Sequence, residues 1–170
     1  VIRVADICSK IKNVKVFIAT DSKKIANVVN KNGYNYIFTS SSCLTGTDRV
    51  AEASYKIKSK IFVNVQGDEP TINPKDIKKI IEAKKKFPNH VICGYDKVHD
   101  FENPSSINLP KVVVNSKGEL IYISRALVPG AKKTNQKIQY HKQVCIYAFN
   151  KRQLKKFYSR RKKSETESIE

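Results

Sequence analysis

Short apolar runs alternate with segments whose apolar residues recur every three or four positions, and only brief polar loops separate them. Residues 1–11 place Val1, Val4, Ala5, Cys8 and Ile11 at helical spacing. Residues 15–20 (KVFIAT) form a nearly continuous apolar run, the pattern of a strand buried on both faces. Asp21-Ser22 then offers a helix cap, Ile25, Ala26, Val28 and Val29 mark one face of 23–32, and Gly33 is placed to stop that helix. The cycle repeats: a strand at 34–39, a Ser/Thr/Gly loop at 40–46, a helix at 47–57 and a very apolar strand at 60–66 (KIFVNVQ). Asn73-Pro74 opens a helix over 75–86, with proline suited to a first turn, and 90–95 is again a strand. Such a rhythm predicts a parallel α/β sheet with helices on both faces.

The rhythm changes after Tyr95. Residues 96–109 are polar and aperiodic. Residues 111–115 and 119–124, joined by Ser116-Lys117-Gly118, predict a β-hairpin with glycine in its turn. A loop at 126–136, a long strand at 137–149 and a helix at 151–161 with Leu154 and Phe157 inward complete the pattern. We expect one domain over 1–170, with an α/β core at 1–95 and an antiparallel elaboration at 96–170.

A chain of 170 residues can bury a substantial core. No apolar run approaches the roughly 18 residues of a membrane span, and residues 1–4 resemble no targeting segment, so a cytoplasmic protein with no membrane partner is expected. Cys8, Cys43, Cys93 and Cys145 lie far apart without a CxxC pair, which argues against zinc, redox or disulfide roles. A net charge of +18 invites a nucleic-acid-binding reading, but the lysines are spread along the chain with no recognition helix or aromatic-basic motif. The densest run, 151–163, has the form of a solvated helix face. Position 1 is not Met and 168–170 stop in a helix-like charged stretch, so the sequence is read as an internal piece.

In an open parallel sheet, ligands bind beyond the carboxyl ends of the strands. Gly67-Asp68-Glu69-Pro70 follows the strand 60–66. Its carboxylates suit a divalent cation holding nucleotide phosphates, and equally a simple turn. Leu44-Thr45-Gly46-Thr47-Asp48-Arg49 follows the strand 34–39 and enters a helix, where backbone N–H groups can approach a base or phosphate. Thr47 also stands where a helix N-cap belongs. Arg49 either pairs with an acidic group or reaches an anion.

TGTDRVAEA followed by FVNVQGDEP, with NLPKVVVNSKGELIYISRALVP and VCIYAFNKRQLKKF beyond, resembles the 3-deoxy-manno-octulosonate cytidylyltransferases over nearly the whole chain. The resemblance implies a Rossmann-like nucleotidyltransferase fold, with a parallel-sheet core and an antiparallel dimerisation elaboration. It implies transfer of CMP from CTP to an eight-carbon sugar acid, for lipopolysaccharide biosynthesis, with release of pyrophosphate and with Mg2+ as cofactor. Asp68 would bind the magnesium. Thr45, Gly46 and Thr47 would recognise cytosine, with Arg49 beside them. Gln66 would hydrogen-bond the sugar acid, Arg125 would meet the sugar or its carboxylate, and Tyr147 would line the sugar pocket. Gln143 stands where the family usually has histidine, and Cys145 where it has glycine. His141, on the same strand face, borders the pocket in this reading. The acceptor is therefore either the octulosonate or its 8-amino analogue, with a sialic-acid-like sugar as the alternative.

The resemblance also places the triphosphate loop before Val1, and a second sugar motif and a second metal-binding aspartate after Glu170. The 170-residue chain alone is thus expected to be inactive. The complete protein is expected to be a homodimer, with the hairpin region as the contact element.

Overall fold

The computed structural model describes residues 1–133, 136–160 and 162–169. Two compact units are present, Val1–Ile92 with Cys145–Ile169, and Cys93–Val144.

The first unit opens with α1 (Ile2–Ser9), which buries Val4 and Ala5. β1 (Phe17–Thr20) and β2 (Asn35–Phe38) pair in parallel, in register from Phe17↔Asn35 to Thr20↔Phe38. The crossover is α2 (Lys23–Lys31), capped by the Ser22 hydroxyl accepting from the Ile25 N–H. Gly33 ends it at φ +75, a conformation costly for any residue with a Cβ. Ala5, Ile18 and Val29 pack into one apolar cluster, joined by Ile2, Val16 and Tyr34.

α3 (Gly46–Tyr55), β3 (Phe62–Val65), α4 (Pro74–Lys86) and α5 (Lys151–Tyr158) complete the unit, with α6 (Glu165–Ile169) beyond. A second cluster joins Ala51, Phe62, Phe149 and Leu154, flanked by Val50, Ile57, Tyr147 and Tyr158. Burying each large side chain there contributes about 2 kcal/mol of hydrophobic stabilisation. The alternation of the sequence does not name strand partners. β3 follows the helical rhythm of a parallel unit, yet its ladder runs antiparallel to β7 (His141–Phe149), from Phe62↔Phe149 to Val65↔Ile146.

Lys84, near the end of α4, is only 1% exposed. Its ammonium donates to the Pro88 carbonyl at 3.0 Å, to the His90 carbonyl, and to Gln153 Oε1 at 2.7 Å. The same Gln153 closes a capping box with Asn150 at the start of α5.

In the second unit, β4 (Ile92–Lys97) pairs with β7, and β5 (Lys111–Val114) pairs antiparallel with β6 (Leu120–Ser124). The hairpin turn is held by Asn115 Oδ1, which accepts from the N–H groups of Lys117 and Glu119, and Gly118 sits at φ +76. Lys111 is fully buried and donates to the carbonyls of Ser106 and Arg125 at 2.9 and 2.6 Å. Leu120, Ile121 and Tyr122 on β6 are exposed. The strand foreseen over 137–149 begins at His141. No helix among the described residues is long and apolar enough to cross a membrane.

Candidate active site

The loop between β2 and α3 delivers Thr45 and Gly46 to a helix entry. The cap is Thr45, not Thr47: the Thr45 hydroxyl accepts from the Asp48 N–H at 3.2 Å, and Asp48 Oδ2 accepts from the Thr45 N–H at 2.8 Å. Thr-x-x-Asp is a capping box, and satisfying both ends of it favours the earlier start. Thr47 is therefore inside the first turn. Gly46 is exposed, with nothing within 4 Å of where a Cβ would stand, so the backbone there is open to an approaching group.

Arg49 takes the acidic partner of its two sequence alternatives. Its guanidinium donates to Asp21 Oδ2 at 3.0 Å and to Thr39 Oγ1 at 2.7 Å. Arg160, Lys162 and Lys163 line a cavity of about 20 Å3 with Leu44, Thr45 and Asp48. That volume holds about one water, but its cations favour anions at the helix entry.

The 66–70 segment leaves β3 as a turn, with the Glu69 N–H donating to the Gln66 carbonyl at 3.2 Å. Asp68 is exposed, while Gln66 and Glu69 are half-buried. Cys145, on the strand paired with β3, lies beside this turn. Burial pushes its thiol up first, and the charges of Glu69 and Asp68 push it further. Tyr147 packs against the Phe62 cluster and stacks on Phe149, with ring centroids 6.4 Å apart. The first unit thus carries Thr45, Gly46, Thr47, Arg49, Gln66, Asp68 and Tyr147, and α3 packs on β3.

Arg125 and Gln143 belong to the second unit. Arg125 is exposed and donates from Nη1 to the Ile107 carbonyl at 2.9 Å, while Lys111 holds its backbone carbonyl. Gln143 is half-buried, and its N–H donates to the Pro110 carbonyl at 2.9 Å. His141 meets the Tyr95 ring edge-on, 5.4 Å between centroids.

The donor set at 66–69 is hard oxygen: an exposed carboxylate, a second beside it and an amide carbonyl. This suits magnesium, which takes one or two protein carboxylates and leaves its other positions to phosphate and water. Among the described residues no group of three or more His, Cys, Asp or Glu side chains could by itself cage a metal. Sequence reasoning missed Asp48, which was legible as the end of a Thr-x-x-Asp box, and the buried Lys111, which carried no local signal.

The family model for cytidylyltransferases matches residues 1–170. A 3-deoxy-manno-octulosonate cytidylyltransferase of Rickettsia felis is 41% identical over 147 residues, covering 84% of this chain and 57% of that protein. The corresponding protein of Koribacter versatilis is 35% identical, with 84% and 54% covered. The chain thus spans little more than half the length of these relatives. A solved structure of a CMP:2-keto-3-deoxy-manno-octonic acid synthetase complexed with CTP superposes with a TM-score of 0.88 at 29% identity, covering 98% of this chain and 69% of that one. A parallel β1–β2 unit, a Thr-Gly-Thr helix entry and a QGDEP turn at the end of a buried strand are thus joined to a match over the whole length, and the chain belongs to the cytidylyltransferase family.

Proposed function

We propose that the complete protein transfers CMP from CTP to 3-deoxy-manno-octulosonate, or to its 8-amino analogue, and releases pyrophosphate. The observation that carries this reading is the pairing, in one compact unit, of an open Gly46 helix entry with an exposed Asp68 turn at the end of β3. The relatives named for this activity support the choice of sugar.

The anomeric hydroxyl of the sugar attacks the α-phosphorus of CTP. A new O–P bond forms, the hydroxyl proton passes to solvent, the bond from the α-phosphorus to the bridging oxygen breaks, and pyrophosphate leaves with the electron pair. Little covalent chemistry falls to the protein, so positioning and charge compensation carry the rate. Thr45, Gly46 and Thr47 hold the cytosine through backbone groups. Gln66 hydrogen-bonds the sugar acid, and Tyr147 lines the sugar pocket. Asp68 holds magnesium, which when bound offsets the phosphate charge. Arg49 supports this entry indirectly, by fixing Thr39 against Asp21. We also propose a homodimer through the second unit, where β6 presents Leu120, Ile121 and Tyr122 to solvent.

Pyrophosphate release by the protein from its complete reading frame tests the reaction, with CTP, magnesium and each sugar in turn. Release is expected to need CTP and to fall at least about 100-fold in Asp68→Ala, the scale of losing one electrostatic stabiliser. No release with either sugar overturns the reading.

A further inference from the structure

We propose that Glu52 is a positioning residue for the nucleotide site, holding the 40–45 loop in the shape that presents Thr45 and Gly46. The inference rests on the reading of 45–47 as the cytosine cradle. Residues 40–45 belong to no strand or helix, and Ser40, Ser41, Ser42 and Leu44 are exposed. Burial therefore does little to fix them. Their order comes from α3 itself, which reaches back along its own entry with side chains at 48, 49 and 52, one helical face.

Asp48 grips the end of the loop, accepting from Thr45 N–H and from its hydroxyl at 2.8 and 2.7 Å. Arg49 grips the residue before it, at Thr39 Oγ1. Glu52 holds the span between. Its Oε1 accepts from the Ser40 N–H at 2.9 Å, and its Oε2 accepts from the Cys43 thiol and the Tyr158 hydroxyl, each at 3.3 Å. One carboxylate thus ties the start and middle of the loop to α5. Hydrogen bonds to an ionised acceptor are shorter and stronger than neutral ones. Burial pushes the Glu52 carboxyl up, but the donors Ser40, Cys43 and Tyr158 outweigh it and hold it below the usual range. The carboxylate stays ionised, and its three donors are aimed at it.

The test uses the complete protein as wild type, Glu52→Ala and Glu52→Gln. Two readouts are taken: steady-state kinetics for both substrates, and the rate of Cys43 alkylation by iodoacetamide, mapped by peptide mass spectrometry. In Glu52→Ala the KM for CTP is expected to rise about tenfold, with kcat and the sugar KM within about twofold, the signature of lost binding to one substrate. Burial first, and the Glu52 carboxylate second, push the Cys43 thiol up to about 11, so losing the carboxylate is expected to make Cys43 alkylate at least about fivefold faster there. Glu52→Gln keeps an oxygen for Ser40 but turns an amide NH2 toward Cys43 and Tyr158, so the CTP KM should stay within about threefold of wild type while Cys43 alkylation rises as in Glu52→Ala.

An unmoved CTP KM in folded Glu52→Ala overturns the inference, as does an equal change in both KM values. Should Glu52→Ala fail to fold, Cys43→Ala with Tyr158→Phe decides. A rise of about threefold in the CTP KM is expected from removing two donors, and no rise overturns the inference. Wild-type protein that does not turn over CTP overturns the functional reading and this inference with it. Wild-type turnover with an unmoved KM in the variants overturns the inference alone.

Discussion

Lys84 is a cation removed from water, and three oxygens replace its hydration shell. Replacing it with a methionine of similar length takes its donor from the His90 carbonyl and leaves the Pro88 carbonyl and Gln153 Oε1 with only their donors from Asn150. Lys84→Met should therefore cost about 2–3 kcal/mol, read as a lower urea midpoint. The cost should depend on pH. Burial holds the Lys84 amine below its usual 10.5. Between its folded and unfolded values the unfolded chain binds more protons, so folding gains stability as pH rises through that alkaline window. The gap between wild type and Lys84→Met should widen there, and a gap that narrows would contradict the burial account. Nothing in the sequence marked this residue. Lys84 is one of many lysines on a helix, and its partners come from a loop and from a helix far along the chain. Asp48 was legible, because Thr-x-x-Asp is a local pattern that a reader can weigh before seeing any fold. Thr45, Gly46 and Asp68 were likewise marked by strand ends, whereas Glu52 had to be seen in contact.

Elements were legible where a local rule governs them. Gly33 and Gly118 end a helix and turn a hairpin at positive φ, where the sequence placed them. Asn73-Pro74 starts α4 as expected. Strand partners were not legible, since the apolar run of β3 serves a parallel or an antiparallel neighbour equally well. The start of α5 is a sharper case. Asn150 Oδ1 accepts from the Gln153 N–H, while its Nδ2 donates to the Pro88 carbonyl, both at 2.9 Å. Asn150→Ala removes a cap and one of the two donors to the Pro88 carbonyl, and should cost about 1–2 kcal/mol by thermal denaturation. Asn150→Asp keeps the cap and loses only the bond to Pro88, so it should cost about half as much.

At the scale of the molecule, the charge of +18 falls on a chain whose β6 shows an apolar row to solvent. Like charges resist association, so a dimer of such a protein needs apolar contact and should tighten with salt. Sedimentation of the complete protein at micromolar concentration should give twice the monomer mass. Ile121→Lys with Tyr122→Ser should return it to monomer, and a monomeric wild type would remove the dimer from the proposal. The fold class was readable from rhythm and from motif together, because helices, strands and turns are specified over a few residues. The two-unit division was harder to foresee, since residues 145–169 join the first unit from the far end of the chain. The clamp at Lys84 spans that same distance in sequence. Gln153 gives its amide oxygen both to the Lys84 ammonium and to the Asn150 N–H. An apolar side chain at 153 would leave an ammonium short of an acceptor inside the protein, while an apolar side chain at 84 would relax the demand on 153. Positions 84 and 153 are therefore not free to drift separately: among descendants of this chain they should covary, with changes at 84 opening the way for changes at 153.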